Sequence, residues 1–527
     1  MNPPDTSAES VTLSDLESDP HPVLARLRAA APACWVPVLG AWLVTGYDLA
    51  VEVLRDARSF TVDDPRFSTA KVVGPSMLSL DGARHARHRA PFTRPFRSDE
   101  IGTRLDAFTR AEADRLVSAI EPRGAAEIRR AVAGPLAVAV MAEALGLGRA
   151  DPARVLAWYD GIVAAVQAEA AVQEGHADPG TGVAAAGTAA FAELAASLRQ
   201  VIAAPPASSL LADVAGPLTQ AEAISNAAVL LFGGIETTEG MIANAMLHLL
   251  SSPGELELVR ADPGLIAAAI EESLRLEPAA AVVDRYATRD TDLSGARIRA
   301  GDQVTVSIAG ANRDPAVFSH PDRFDIRRPN SAKHLAFAHG PHFCLGAHLA
   351  RLEARVAVET MLDRLPRLRL APGFPAAPRG LVFRKPADLR VCWAPRRGDA
   401  GYAATWTQAG PAGGGSMSEQ DPDEPSEFAE QFADRFHRHR DEHGGEIDRL
   451  DDNQAARLTE EERVAAGVDD FDPDEVPPAT DTPPLTQDVT QTEQYQEERA
   501  EFIREYEKGE LHPIDEDHPF PPTRYDD

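Results

Sequence analysis

The chain has 527 residues, with 82 Asp and Glu against 52 Lys and Arg, for a formal charge of −30. That length exceeds one ordinary domain, and that acidity makes a poor nucleic-acid binder. Three widely spaced cysteines argue against a disulfide framework and suit a reducing cytoplasm, and no apolar run reaches the roughly 18 residues a membrane span needs.

The first twenty residues are polar and acidic and lack the basic-then-apolar order of a signal peptide. CWVPVLGAWLVTGY, from Cys34, is rich in β-branched and aromatic residues around Gly40 and predicts a hairpin. Beyond it, Ala, Leu, Glu and Arg recur at helical spacing. In Asp81-Gly-Ala-Arg-His85-Ala-Arg-His-Arg89, His85 and Arg89 stand four apart and share a helix face, while Arg84, Arg87 and His88 read as surface cations.

A long helix is predicted over 218–250, opened by a capping box of Thr219 and Glu222. Its middle reads Phe232-Gly233-Gly234-Ile235-Glu236-Thr237-Thr238. Two glycines inside a helix cost about 1 kcal/mol each relative to alanine, and they let a ligand lie against the helix or its hydrogen bonds open. An acid and an alcohol follow them, groups able to relay and hold protons beside a reacting oxygen. Further on, Glu272 and Arg275 fall at i, i+3 on one helix face, and Arg285 follows in Val283-Asp-Arg285.

Phe337-Ala-His-Gly340-Pro-His342-Phe-Cys344-Leu-Gly346 fits F-x-x-G-x-x-x-C-x-G. A lone thiolate can hold haem iron from one side, and glycines let the backbone approach a flat macrocycle. Cys34 and Cys392 have no such setting and read as structural. Short apolar runs over 370–396 predict strands.

Residues 398–416 are small and flexible and end in Gly413-Gly414-Gly415-Ser416, followed at once by Met417, which reads as a spacer and the start of a second reading frame, hence a fusion. Residues 417–527 hold 35 acidic against 10 basic residues, about −25 of the total charge. With few large apolar residues and many prolines, this segment is expected to be largely disordered with short helices: one face of Phe428, Phe432 and Phe436, a capping box at Thr459 and Glu462, and 488–510.

Residues 334–353, HLAFAHGPHFCLGAHLARLE, resemble the haem-binding loop and following helix of a soluble bacterial cytochrome P-450, and the likeness runs over roughly 15–396. The resemblance implies a mainly α fold with small β-sheets over 1–397. It implies haem b with Cys344 as its metal ligand, within a loop that includes Phe337 and Gly346, and oxygen activation with Glu236 as acid and Thr237 as alcohol. Electrons would come from a separate ferredoxin and its NAD(P)H-dependent reductase, since the tail has no cysteine and no glycine-rich nucleotide loop. By position, His85, Arg89, Arg285 and His342 would hold the haem propionates. Glu272 and Arg275 match a structural E-x-x-R pair, with Arg327 or Arg328 as a third partner. Pocket walls are expected near 68–80, 160–190, 281–283 and 381–384.

The function expected is therefore a haem-thiolate monooxygenase or oxidative crosslinking enzyme of the cytoplasm, with no nucleic-acid or membrane partner. Its substrate is either a small molecule of bacterial secondary metabolism or the fused segment 417–527, whose His518 and Tyr525, or else Tyr506 or Tyr495, would be coupled. If not substrate, the tail is a protein partner or a passenger. A non-catalytic haem binder is the alternative of another class, and the Gly-Gly-x-Glu-Thr stretch speaks against it.

Overall fold

Hydrophobic periodicity and turn chemistry lay out the elements in chain order. The computed structural model describes residues 6–394, apart from 149, 174–180, 207–208, 212–213 and 215–216. The spacer, the tail helices and the pair His518 and Tyr525 lie outside the described residues. The hairpin predicted around Gly40 is present: β1 (Ala33–Val36) pairs antiparallel with β2 (Ala41–Val44), Trp35 opposite Trp42. Helix α1 (Tyr47–Arg55) follows, then β3 (Phe60–Thr61), α2 (Gly82–Thr93), α3 (Ser98–Ile120) and α4 (Gly134–Ala144).

Helices α5 (Pro152–Gln173) and α6 (Thr181–Ala203) pack together, and Gly161 and Gly187 let their backbones approach. The long helix α7 (Gln220–Ser251) carries the predicted capping box: Thr219 Oγ1 accepts from Glu222 N–H at 3.3 Å, and Glu222 Oε2 accepts from Thr219 N–H at 2.9 Å. Most of its side chains are buried, because α4, α5, α6 and α8 (Ile266–Leu276) surround it. An element apolar on every side belongs in a core. Strands β4 (Val282–Ala287) and β5 (Gln303–Ser307) complete a five-stranded sheet in the order β1-β2-β5-β4-β3. Helix α9 (Ala347–Arg364) starts just after the cysteine loop. The strands expected over 370–396 appear as short pairs that include β6 (Lys385–Pro386). Mainly helical architecture with small sheets is thus observed, and among the described residues no helix is long and apolar enough to cross a membrane.

A buried ion cluster positions the cysteine loop. Glu272 on α8 receives Arg275 Nε and Nη2 at 2.8 Å each and Arg328 Nε at 3.0 Å from both of its oxygens. The third partner is therefore Arg328, and Arg327 is not part of the cluster among the contacts observed. The arginines also donate to the carbonyls of Asn312, Ser319, His320, Pro321 and Arg323. Asn312 in turn accepts from Leu335 N–H at 2.6 Å, two residues before Phe337. The chain course from 312 to the loop is pinned along its length.

Glu272→Ala would leave two buried guanidinium groups without their counter-ion. Removing one partner of a buried pair costs about 3–5 kcal/mol. Chemical denaturation should show a loss of that size together with reduced haem retention, whereas Arg327→Ala should change neither.

Candidate active site

Gly340 adopts φ +76°, and a Cβ there would stand 2.5 Å from the Leu54 carbonyl oxygen, so the turn into the cysteine tolerates only glycine. Cys344 follows a short 3-10 turn and precedes the first turn of α9. A helix N-terminus carries partial positive charge, which favours the thiolate form. Phe337 is buried beside it, with the Arg351 guanidinium 5.1 Å from its ring centroid. Arg351 also binds Glu271 at 2.7 and 2.9 Å, and His334 meets the same carboxylate at 3.2 Å. The loop is thereby fastened to both α8 and α9.

Cys344 and the middle of α7 line one largely apolar cavity. Its lining includes Cys344, Phe337 and Gly346 from the cysteine loop and Gly233, Gly234 and Thr237 from α7. The predicted opening of the helix is not seen: α7 is α-helical without a break through both glycines. Close packing explains Gly234, whose Cβ would meet Met141 Sδ of α4 at 2.4 Å. Thr237 Oγ1 donates to the Gly233 carbonyl at 2.7 Å, one turn back. Met77 and Leu78 form wall from the expected 68–80 segment. The other expected walls shift: Ala279 and Ala280 line the cavity in place of 281–283, and 381–384 stands behind them, bridging Ala280 through Phe383. Among the described residues of 160–190, none lines it.

At the rim the structure brings together the four residues proposed for the propionates. His85, Arg89, Arg285 and His342 are all buried, and the His85 and His342 rings lie 4.4 Å apart. His342 is already engaged, its Nε2 2.7 Å from Asp81 Oδ1. Asp81 also accepts from Thr61 Oγ1 and Val62 N–H. Burial pushes the Asp81 carboxyl up, but the His342 ring and these donors outweigh it and hold it well below the usual carboxylate range. Burial, then His342 and Arg89, push His85 far below its ordinary value. His85 Nε2 and Arg285 Nη2 are buried and make no hydrogen bond. Buried donors of this kind ask for acceptors. Two carboxylates on the edge of a flat macrocycle, with iron facing Cys344, supply them, so the residues present fit haem b.

Glu236 lies off this rim, 3% exposed. Its Oε2 accepts from Tyr159 O–H at 2.8 Å, and its Oε1 is 2.9 Å from Lys385 Nζ. Lys385 is also paired to Glu239, and Glu239 stands 3.1 Å from Arg129 Nε. Two acids and two bases thus balance in a buried row beside Thr237.

Sequence reasoning missed Asp81, Tyr159, Lys385 and Arg129, because their partners are distant in the chain. It also misplaced His88, which is 2% exposed and bonded to Asn226 rather than at the surface. Arg84 and Arg87 are exposed as expected, paired to Asp63 and Glu222. Glu353, nine residues beyond the cysteine, lines the cavity, and burial pushes its carboxyl well above its usual range.

Residues 207–366, which hold both α7 and the cysteine loop, match the family model described as Cytochrome P450. The cytochrome P450 monooxygenase PikC of Streptomyces venezuelae is 38% identical over 378 residues, 68% of this chain and 86% of that protein. The mycinamicin IV hydroxylase/epoxidase of Micromonospora griseorubida is 33% identical, over 67% of this chain and 89% of its own. Among solved structures, epothilone B-bound cytochrome P450epoK aligns with TM-score 0.64 and 30% identity, covering 73% of this chain and 98% of that one.

Ala338 holds φ +54° inside the cysteine loop and is fully buried. A left-handed conformation costs a non-glycine residue roughly 1–2 kcal/mol, partly offset by the chain entropy glycine would lose. Ala338→Gly should therefore stabilise the haem-loaded protein by about 0.5–1 kcal/mol, read as a higher midpoint of thermal unfolding with an unchanged absorption spectrum.

Proposed function

The chain belongs to the cytochrome P450 family, a haem-thiolate monooxygenase of bacterial secondary metabolism, and from that premise we propose that it oxygenates a largely apolar small molecule held between α7 and the Met77–Leu78 wall. Members of the family use haem b, dioxygen and electrons from a ferredoxin and its reductase. Bound haem would supply the iron that activates dioxygen, one oxygen atom entering the substrate and the other leaving as water with two electrons and two protons. The observation that carries the reading is that Cys344 and Thr237 line one cavity.

This chain's own residues divide the work. Cys344 supplies the thiolate ligand at the start of α9. Gly233 keeps a side chain out of the space beside the macrocycle, and Gly234 makes room for Met141 of α4. Thr237 donates to Gly233 O, which leaves its oxygen lone pairs for a water or a protonated group in the cavity. Glu236 would provide protons to that hydroxyl, and to do so it must leave Lys385. His85, Arg89 and Arg285 would hold propionates, with His342 oriented by Asp81. Apolar side chains around Thr237 exclude bulk water and favour an apolar substrate. The relatives described as a mycinamicin IV hydroxylase/epoxidase and as epothilone B-bound support a secondary metabolite as its class.

The reading in which 417–527 is the substrate, coupled at His518 and Tyr525, rests on sequence alone. The same holds for the fusion itself and for the tail as partner. Mass spectrometry of the tail before and after turnover with ferredoxin and reductase separates them: loss of two hydrogens marks a crosslink, and an unchanged mass leaves the small molecule.

Cys344→Ser should abolish the thiolate-type spectrum of the ferrous carbon monoxide complex, since serine does not donate comparable electron density. A retained thiolate spectrum would falsify the ligand assignment.

Thr237→Ala should keep haem and that spectrum yet divert electrons to peroxide, lowering product formed per NAD(P)H consumed by about ten-fold or more, the scale of a lost proton-transfer group. Unchanged coupling would place the proton path elsewhere.

A further inference from the structure

Neither Asn226 nor His88 lines the cavity, yet both are almost fully buried: Asn226 bonds the backbone of its wall, and His88 bonds Asn226. Asn226 lies in the second turn of α7. Its Oδ1 accepts from Met77 N–H at 2.7 Å. A backbone N–H is only a donor, so this bond settles which end of the amide faces the wall. The Asn226 Nδ2 then donates to Glu222 O at 2.7 Å and faces His88 Nδ1 at 3.0 Å. His88 Nδ1 thus faces an amide donor, and its Nε2 stands 3.3 Å from the Glu222 carboxylate and 3.2 Å from Arg87 Nη2. Arg87 shares that carboxylate from outside. One residue earlier on α7, Ser225 Oγ donates to Val73 O at 2.6 Å. Gly74 follows at φ +87°, and a Cβ there would press on the same hydroxyl at 3.0 Å.

Resting on the cytochrome P450 reading of the cavity, we propose that Asn226, oriented by His88 and Glu222, is a positioning residue that latches the Met77–Leu78 wall to α7 and so sets which substrates the cavity accepts. The wall needs such a latch. Segment 74–78 is a connection without helix or strand of its own, and these hydrogen bonds tie its backbone to α7. Burial pushes His88 below its ordinary value, in keeping with the neutral ring the network requires.

The test uses the full chain loaded with haem and two iron-binding probes. Imidazole needs little room; 4-phenylimidazole also needs the wall. Losing a buried hydrogen bond and stranding its donor is worth about a ten-fold change in binding. Asn226→Leu, close in size, should therefore weaken 4-phenylimidazole by roughly ten-fold while imidazole stays within about two-fold. His88→Phe should act the same way but by about three-fold, because Glu222 O still takes one amide proton. Amide hydrogen exchange at 74–78 should speed up in both variants. Equal weakening of both probes, no weakening of either, or unchanged exchange would overturn the latch. The exchange measurement needs no iron, and the carbon monoxide spectrum of the parent reports on the family reading separately, so the two ideas fail by different results.

Discussion

Two guanidinium groups, Arg275 and Arg328, close on the single carboxylate of Glu272 where water hardly reaches. Taking such charges out of water costs several kcal/mol per ion, and the attraction between them offsets this only when the remaining donors are also satisfied. Here the surplus donors go to backbone carbonyls between 312 and 323. A segment whose carbonyls are committed in this way has one conformation available. Asn312 hands that conformation on to Leu335, and Glu271, the neighbour of Glu272, reaches the other way to Arg351 on α9 and His334. The position of Cys344 relative to α7 follows from a charge-satisfaction problem solved twice on adjacent residues of α8.

The same rule governs the opposite side of the cavity. Lys385 lies between Glu236 and Glu239, and Arg129 completes the balance. No member of this row can move far alone without leaving a buried charge exposed to a medium of low polarity. The Glu236 carboxylate is therefore held toward Tyr159 and β6, while Thr237 on the next position of the helix faces the cavity. Acid and alcohol are adjacent in sequence but face different surroundings, as neighbours 100° apart around a helix do. In the proposed relay, transfer between them would have to include release of the Glu236–Lys385 pair, which would bring Lys385 and Tyr159 into proton delivery.

What was legible in the sequence was what depends on local spacing. The hairpin at Gly40, the capping box that starts α7, the i, i+3 pair of Glu272 and Arg275 and the turn around Gly340 all involve residues a few positions apart, and each is found where spacing placed it. What was not legible depends on contacts across the chain. His88 reads as one more cation in a basic stretch, and only the approach of Asn226, 138 positions away, makes it a buried neutral ring. Lys385 sits 149 positions from Glu236, and Asp81 is 261 from His342. The glycine pair shows a third kind of limit. Its pattern suggests a ligand against the helix or an opened helix; at Gly234 the structure shows instead close packing on Met141 of α4, with the helix unbroken.

Asp81 shows how these long-range contacts bear on haem. The rim gathers two buried arginines, and repulsion between them would favour scattering unless something negative sits within. Asp81 is one such group, and it is spent on His342, Thr61 and Val62. Arg285 Nη2 remains as a buried donor without an acceptor, and His85 Nε2 as a buried ring nitrogen without a partner, each a cost of about 1–3 kcal/mol. Two propionates would satisfy them and supply the missing negative charge together. A ligand that binds the folded rim and not the unfolded chain adds its binding energy to the stability of the fold. If the rim residues hold the propionates as proposed, the arrangement that selects haem would also be the one through which haem ties α2, β4 and the cysteine loop together.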